Sequence, residues 1–238
     1  AFLAHFTQGP VVLRPFATSA REWYQAHADG PGKLIWGPQY VAVSGAGDLG
    51  LSIGPWRHEG ERDGKRVLAH GHFLSIWRRD ASGRWQVVFD HSISHDAAAV
   101  TVEETPLIAL NIPAARLAST AVTGARRKAL EDADTALRDR LGKNASDAYA
   151  KAANRKTLWL REGSMPAQGA APPAGAGNHA CGCGPRVKLD LAESGDLGYT
   201  IGGSEDVRDK GADIRVWTFD PQRGWLLLAD LAAAGARL

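Results

Sequence analysis

The chain has 238 residues, of which 44% are apolar and 23% charged, with a formal charge of +2. That is ordinary composition for a globular protein with a real core. The small, dispersed charge argues against a nucleic-acid partner, and no apolar run approaches the roughly 20 residues a membrane-spanning helix needs. The two cysteines, Cys181 and Cys183, stand one residue apart and cannot build a disulfide framework.

In chain order, the first half opens with a short extended stretch ending at Leu13-Arg14, followed by a segment crowded with aromatics: Trp23, Tyr24, Trp36, Tyr40 and Trp56. Such residues line apolar pockets or fill cores; core filling is the safer reading for Trp36, while Trp56 beside Pro55 fits a pocket rim or an interface. Leu49, Leu51 and Ile53 then alternate with Asp48, Gly50, Ser52 and Gly54, the period of a half-buried strand. A second strand carries Leu74 and Ile76 on one side. The turn Asp80-Ala81-Ser82-Gly83 leads into a third strand from Trp85 to Asp90. Residues 99–125, with Pro106 and Pro113, read as an irregular linker. From Ala125 to Ala153 the composition and the spacing of Leu130, Ala133, Leu137 and Leu141 predict helix, interrupted at Gly142. Met165 to Pro185 is an Ala/Gly/Pro-rich loop containing His179 and both cysteines. Strands then return around Leu197 to Ile201, Ile214 to Trp217 and Trp225 to Asp230.

The later strands repeat the earlier ones. Gly47-Asp48-Leu49-Gly50 through Gly54 returns 148 positions on as Gly195-Asp196-Leu197-Gly198 through Gly202. Ile76-Trp77 with Asp80, Trp85 and Asp90 returns 140 positions on as Val216-Trp217 with Asp220, Trp225 and Asp230. Phe2-Leu3-Ala4 and Leu13-Arg14 align with Tyr149-Ala150-Lys151 and Leu160-Arg161. Three blocks in one order predict a tandem duplication, with a first unit at 1–98, a linker at 99–125 and a second, diverged unit at 126–238. Ala1 aligns with Ala148, so the first unit lacks about 20 residues of leading helix by this alignment and its periodicity. The expectation is a natural protein that begins upstream, with export or a periplasmic location compatible with the missing segment.

The Gly-Asp-Leu-Gly motif, the run Phe73 to Arg79 and the stretch Ser82 to Ser92 resemble bacterial members of the nuclear-transport-factor-2-like superfamily. The similarity is greatest to its ketosteroid-isomerase and polyketide-cyclase-like branch. It covers nearly all of the first unit. In the second it is confined to the leading helices, Gly195 to Gly202 and Trp217 to Asp230. The resemblance implies an α+β fold of two cones, each a curved antiparallel sheet wrapped on helices, paired as a pseudo-dimer within one chain. It implies little about chemistry, because the superfamily includes isomerases, cyclases, epoxide hydrolases, ligand binders and interaction modules.

The chemistry-bearing residues are weighed against structural roles. Asp48 and Asp196 sit beside glycines and read as turn or strand-end residues. Asp90 and Asp230, kept in both units, read as structural acceptors. His70, His72, His91 and His95 are confined to the first unit, their counterparts being Lys210, Ala212, Leu231 and Gly235. His70 and His72 share the side of Leu74 and Ile76, taken here as the inward side. Imidazoles there would serve as acid or base. His-x-His also suits a metal, with only His91, His95 or Asp90 plausible as the third and fourth ligands; the favoured reading is edge histidines exposed where the strand begins, and no metal or cofactor is expected. His179, Cys181 and Cys183 are likewise incomplete as a soft-metal site. No phosphate loop, Ser-His-Asp order, zinc-protease helix or nucleotide fingerprint is present.

The leading expectation is a binder of a small apolar molecule, with a pocket in the first unit lined by Trp36, Tyr40, Trp56, His70, His72 and Leu74. An acid–base enzyme of isomerase, cyclase or hydrolase type using His72, Asp90 and His91 is the alternative. An interaction or scaffold protein with filled cones is the third reading. The chain is expected to need no partner beyond its own pseudo-dimer, with no nucleic acid and no membrane.

Overall fold

The computed structural model describes residues 5–13, 17–19, 22, 25, 32–62, 64–96, 102–112, 119–141, 143–173, 185–203 and 211–234. Phe2, Leu3, Ala4, Arg14, Trp23, Tyr24, Gly142, His179, Cys181 and Cys183 lie outside the described residues, as do Lys210 and Gly235. The fold is α+β, with two sheets and few helices.

Sheet A holds β1 (Phe6–Leu13), β2 (Ala17–Ser19), β3 (Gly32–Trp36), β4 (Tyr40–Val43), β5 (Leu49–Arg62), β6 (Lys65–Arg79), β7 (Trp85–Ser94) and β8 (Ile108–Ala109). Its order is β2-β1-β7-β6-β5-β4-β8, with β3 paired to β5. Two helices follow, α1 (Thr120–Leu141) and α2 (Ala145–Ala152). Sheet B holds β9 (Leu158–Arg161), β10 (Ala167–Gln168), β11 (Arg186–Leu191), β12 (Leu197–Gly202), β13 (Gly211–Asp220) and β14 (Gly224–Ala234), in the order β10-β9-β14-β13-β12-β11.

The two orders match strand for strand from β2 to β4 and from β10 to β11. Each sheet has one parallel pair at the matching place, β1 with β7 and β9 with β14, and sheet A adds a second where β8 joins β4. Even the bulges agree: the ladder slips between Ile76 and Trp77 in sheet A and between Val216 and Trp217 in sheet B. Gly47 and Gly195 open the equivalent turns at φ of 70° and 65°, a backbone region that costs a β-carbon dearly.

The sheets pack face to face. Leu51, Ile53, Leu74, Ile76, Phe89 and Ile93 of sheet A meet Leu160, Leu197, Tyr199, Ile201, Ile214 and Leu231 of sheet B in one core, each at most 2% exposed. Burying such side chains stabilises by about 1.5–3 kcal/mol each, which makes this layer the main bond between the halves. At its edge the contacts are reciprocal. Gly45 N–H donates to Asp196 at 2.8 Å, and Glu193 N–H donates to Asp48 at 3.0 Å. Arg78 bridges Asp48 and Asp190, each at 2.6 Å. Asp48 and Asp196 therefore do more than end a strand: they tie one sheet to the other.

A second core lies on the outer face of sheet B. There Leu130, Leu137, Leu141 and Tyr149 of the helices cover Trp159, Trp217, Trp225 and Leu227. Helix α1 starts at Thr120, five residues before the expected start. The expected linker contributes the short β8, which pairs with β4, and a 3-10 turn at Val102–Glu104.

The sequence reading took the side of Leu74 and Ile76 as facing a pocket. That side faces the other sheet. Period two separates the faces of a strand but does not say which face meets a partner sheet. The more continuously aliphatic face goes where the largest apolar area can be buried.

Candidate functional site

The site follows from the residues opposite that core. Residues directly across a ladder share a face, so Gly50 with Trp77, Ser52 with Ser75, and Gly54 with Phe73 all point away from sheet B. Val41 and Val43 of β4 join them through their pairing with Ser52 and Gly50. Of these, Val41, Val43, Gly50, Ser52 and Trp77 line, with Trp36 and Trp85, a cleft of about 250 Å³ that is open to solvent. Trp36 is 43% exposed and Val43 is 51% exposed, so the cleft end of this face meets solvent, while Ser52, Phe73 and Ser75 on the same face are buried.

The cleft is held in shape by specific contacts. Trp77 Nε1 donates to Ser52 Oγ at 2.8 Å, which fixes the indole flat across the strands. Gly50 lets the Trp85 ring lie on the sheet; a β-carbon there would stand 3.4 Å from it. Trp36 meets Phe73 edge to face, with centroids 5.5 Å apart. Trp56 stands across the ladder from Trp36 and lies over Gly71, where a β-carbon would come within 2.9 Å of the ring. Among the described residues no charged side chain lines the cleft, and the Ser52 hydroxyl already accepts from Trp77.

The equivalent face of sheet B is closed. Trp217 Nε1 donates to Thr200 Oγ1 at 3.1 Å, as Trp77 does to Ser52. Above it, however, lie the helices and a buried ion network. Arg138 of α1 makes a bidentate pair with Asp213 at 2.9 and 2.8 Å and also holds Asp134 at 2.9 Å. Arg215 reaches Asp134, Asp213 and Asp230 at 3.3, 3.3 and 3.1 Å, and Arg161 holds Asp230 at 2.7 Å. Gly202 makes room for Arg138: a β-carbon there would overlap its guanidinium. Burial works against ionising Asp134, but Arg138, Arg215 and the Thr200 hydroxyl hold its carboxyl below the usual range. Burial prevails at Asp213, whose carboxyl is pushed up despite Arg215 and Arg138. In sheet A the registers of Arg215 and Asp213 carry Ser75 and Phe73, and no such network exists among the described residues there.

The proposed acid–base trio does not meet. Asp90 lies on the cleft face of sheet A and accepts from Ser75 Oγ at 2.6 Å. His91 stands opposite Leu74 and His72 opposite Ile93, so both rings are on the inter-sheet side. They are 6% and 2% exposed. His72 instead pairs with His95, its Nδ1 2.9 Å from His95 Nε2. Burial first, and then the neighbouring His95, push the His72 imidazole down to about 4. Of the expected pocket residues, Trp36 lines the cleft and Trp56 stands beside it. Leu74 belongs to the inter-sheet core, Tyr40 packs against that core, and His70 and His72 share its side. The cleft's own Trp77, Trp85, Val41 and Val43 were missed as lining residues. The available signal was Trp77, the one side chain on its strand face kept in both halves.

No family model matches the chain, and no curated protein matches it in sequence. Among solved structures, a candidate ketosteroid isomerase from Shewanella frigidimarina aligns at 17% identity and a TM-score of 0.29. The alignment covers 37% of this chain and 76% of that one.

Proposed function

We propose that the chain binds a small, uncharged, apolar molecule on the outer face of sheet A, as a tandem duplication folded into an internal pseudo-dimer. The observation that carries the binding reading is the open, tryptophan-lined cleft at the position where the other half is filled by helices and ion pairs. Few convergent polar groups and an apolar lining are the usual marks of a ligand site. The duplication reading is supported by the matching strand orders, the matching bulges and the reciprocal bonds of Asp48 and Asp196. In this reading the second half is a scaffold: its cone is filled, and it backs the first half with an apolar layer.

Titration with the neutral naphthalene dye prodan tests the ligand site. The expected result is a blue-shifted dye emission with quenching of tryptophan fluorescence. Trp77→Ala and Trp85→Ala should each weaken binding about tenfold, as the loss of a stacking aromatic implies. Dye binding that both variants leave intact would remove the cleft from consideration.

A further inference from the structure

A separate feature lies at the far end of β6 and β7, on the inter-sheet side. His70 and His72 are two apart on β6 and therefore share a face. His95 follows β7 and folds back on them, its N–H bonded to the His70 carbonyl at 3.2 Å. The His95 ring centroid lies 5.2 Å from that of His72 and 5.5 Å from that of His70. His72 Nδ1 and His95 Nε2 point at each other across 2.9 Å, both in buried residues. His70 Nε2 is also buried and has no hydrogen-bond partner.

We propose that His70, His72 and His95 form a binding site for one divalent transition-metal ion of the zinc class. Two nitrogens bound to one tetrahedral zinc, each at about 2.0–2.1 Å, stand about 3.3 Å apart. The His72–His95 pair therefore needs to open by only a few tenths of an ångström. The three rings do not already enclose a point, since among the described residues no three ligating groups do so. Closure requires rotation of the half-buried His70 side chain.

A neutral imidazole–imidazole hydrogen bond would account for His72 and His95 alone. It leaves the His70 nitrogen buried and unsatisfied, at a cost of about 1–3 kcal/mol. An ion uses the lone pairs of all three. An all-imidazole set without carboxylates selects zinc, cobalt, nickel or copper over magnesium or calcium. A negative charge is close by: the Glu162 carboxylate takes the N–H of Ser94, the residue before His95, at 3.2 Å. Glu162 belongs to the turn between β9 and β10, and the next residue, Gly163, donates to the Ser94 carbonyl at 2.8 Å. The site thus sits beside the contact between the two sheets, with all three ligands supplied by sheet A and the residue that follows it.

The test is equilibrium dialysis of the full chain against zinc, with bound metal counted by mass spectrometry. A Cys181→Ser/Cys183→Ser background removes the other candidate ligands. One zinc per chain is expected, and His72→Ala, His95→Ala and His70→Ala should each weaken binding by about tenfold or more. His58→Ala should leave it unchanged. His95→Gln guards against a folding defect in the alanine variant. Cobalt loaded into the unmutated site should give the visible bands of a tetrahedral nitrogen-rich centre. Zinc lost with the cysteines but kept in the histidine variants would overturn the proposal, as would no stoichiometric zinc in the cysteine-free background. Neither result bears on dye binding in the cleft.

Discussion

The outer faces of sheets A and B are built on one strand order and carry one tryptophan in the same hydrogen bond, yet one is open and the other sealed. The difference lies in what stands beside that tryptophan. Sheet B presents Asp213 and Arg215, which are tolerable only beneath Arg138 and Asp134 of α1. Sheet A presents Phe73 and Ser75, which need no charged partner, and its tryptophans meet solvent. A face committed to buried ion pairs cannot also receive an apolar ligand. A face lined by indoles and valines can.

The sharpest way to break this comparison is Arg215→Leu. It removes the cation shared by Asp134, Asp213 and Asp230, leaving the first two to Arg138 and the third to Arg161, and should cost about 3–5 kcal/mol in urea unfolding, the usual penalty for breaking a buried ion network. Leu74→Ala tests which side of β6 is core. With Leu74 between the sheets at 0% exposure, the expected loss is about 2–5 kcal/mol with dye affinity unchanged. A mild loss with weakened dye binding would return Leu74 to the cleft.

Alkaline pH should separate the halves further. Burial pushes the hydroxyl of Tyr149, a residue of α2, up to about 12, and burial also raises that of Tyr199. A folded-state value above the unfolded one contributes stability that is full below about pH 10 and lost as pH rises towards 12. For Tyr149 the loss is at most about 3 kcal/mol, and Tyr149→Phe should flatten that part of a stability–pH curve. The smallest effect is expected for Ser75→Ala. Removing one hydrogen bond to Asp90 on the open face should cost about 1–2 kcal/mol, well under the Arg215→Leu loss at the same register.

Much of the strand pattern was legible in the residues, because period two and the turn motifs at Gly47 and Gly195 are local signals. The helix was legible too, apart from its first turn, where Thr120 to Gly124 lack a marked apolar stripe. The orientation of the strands was not. Leu74 and Trp77 lie on opposite faces in either reading, and only the docking of sheet B decided which face is core. The histidines failed for a related reason. His72, Asp90 and His91 are near in sequence space, but alternation sends Asp90 to the other face. The sequence places His95 at the end of the same strand pair as His72, but only the ladder between β6 and β7 brings their rings to 2.9 Å.

By itself, then, the sequence determined the α+β class, the alternation of each strand and the repeat of its motifs, all of which depend on neighbours a few residues apart. The tertiary structure decided which face is buried and where the cleft lies. It also decided which charges are paired and which imidazoles meet. Those outcomes depend on competition among surfaces far apart in the chain for a limited interior, and no window of residues contains that competition.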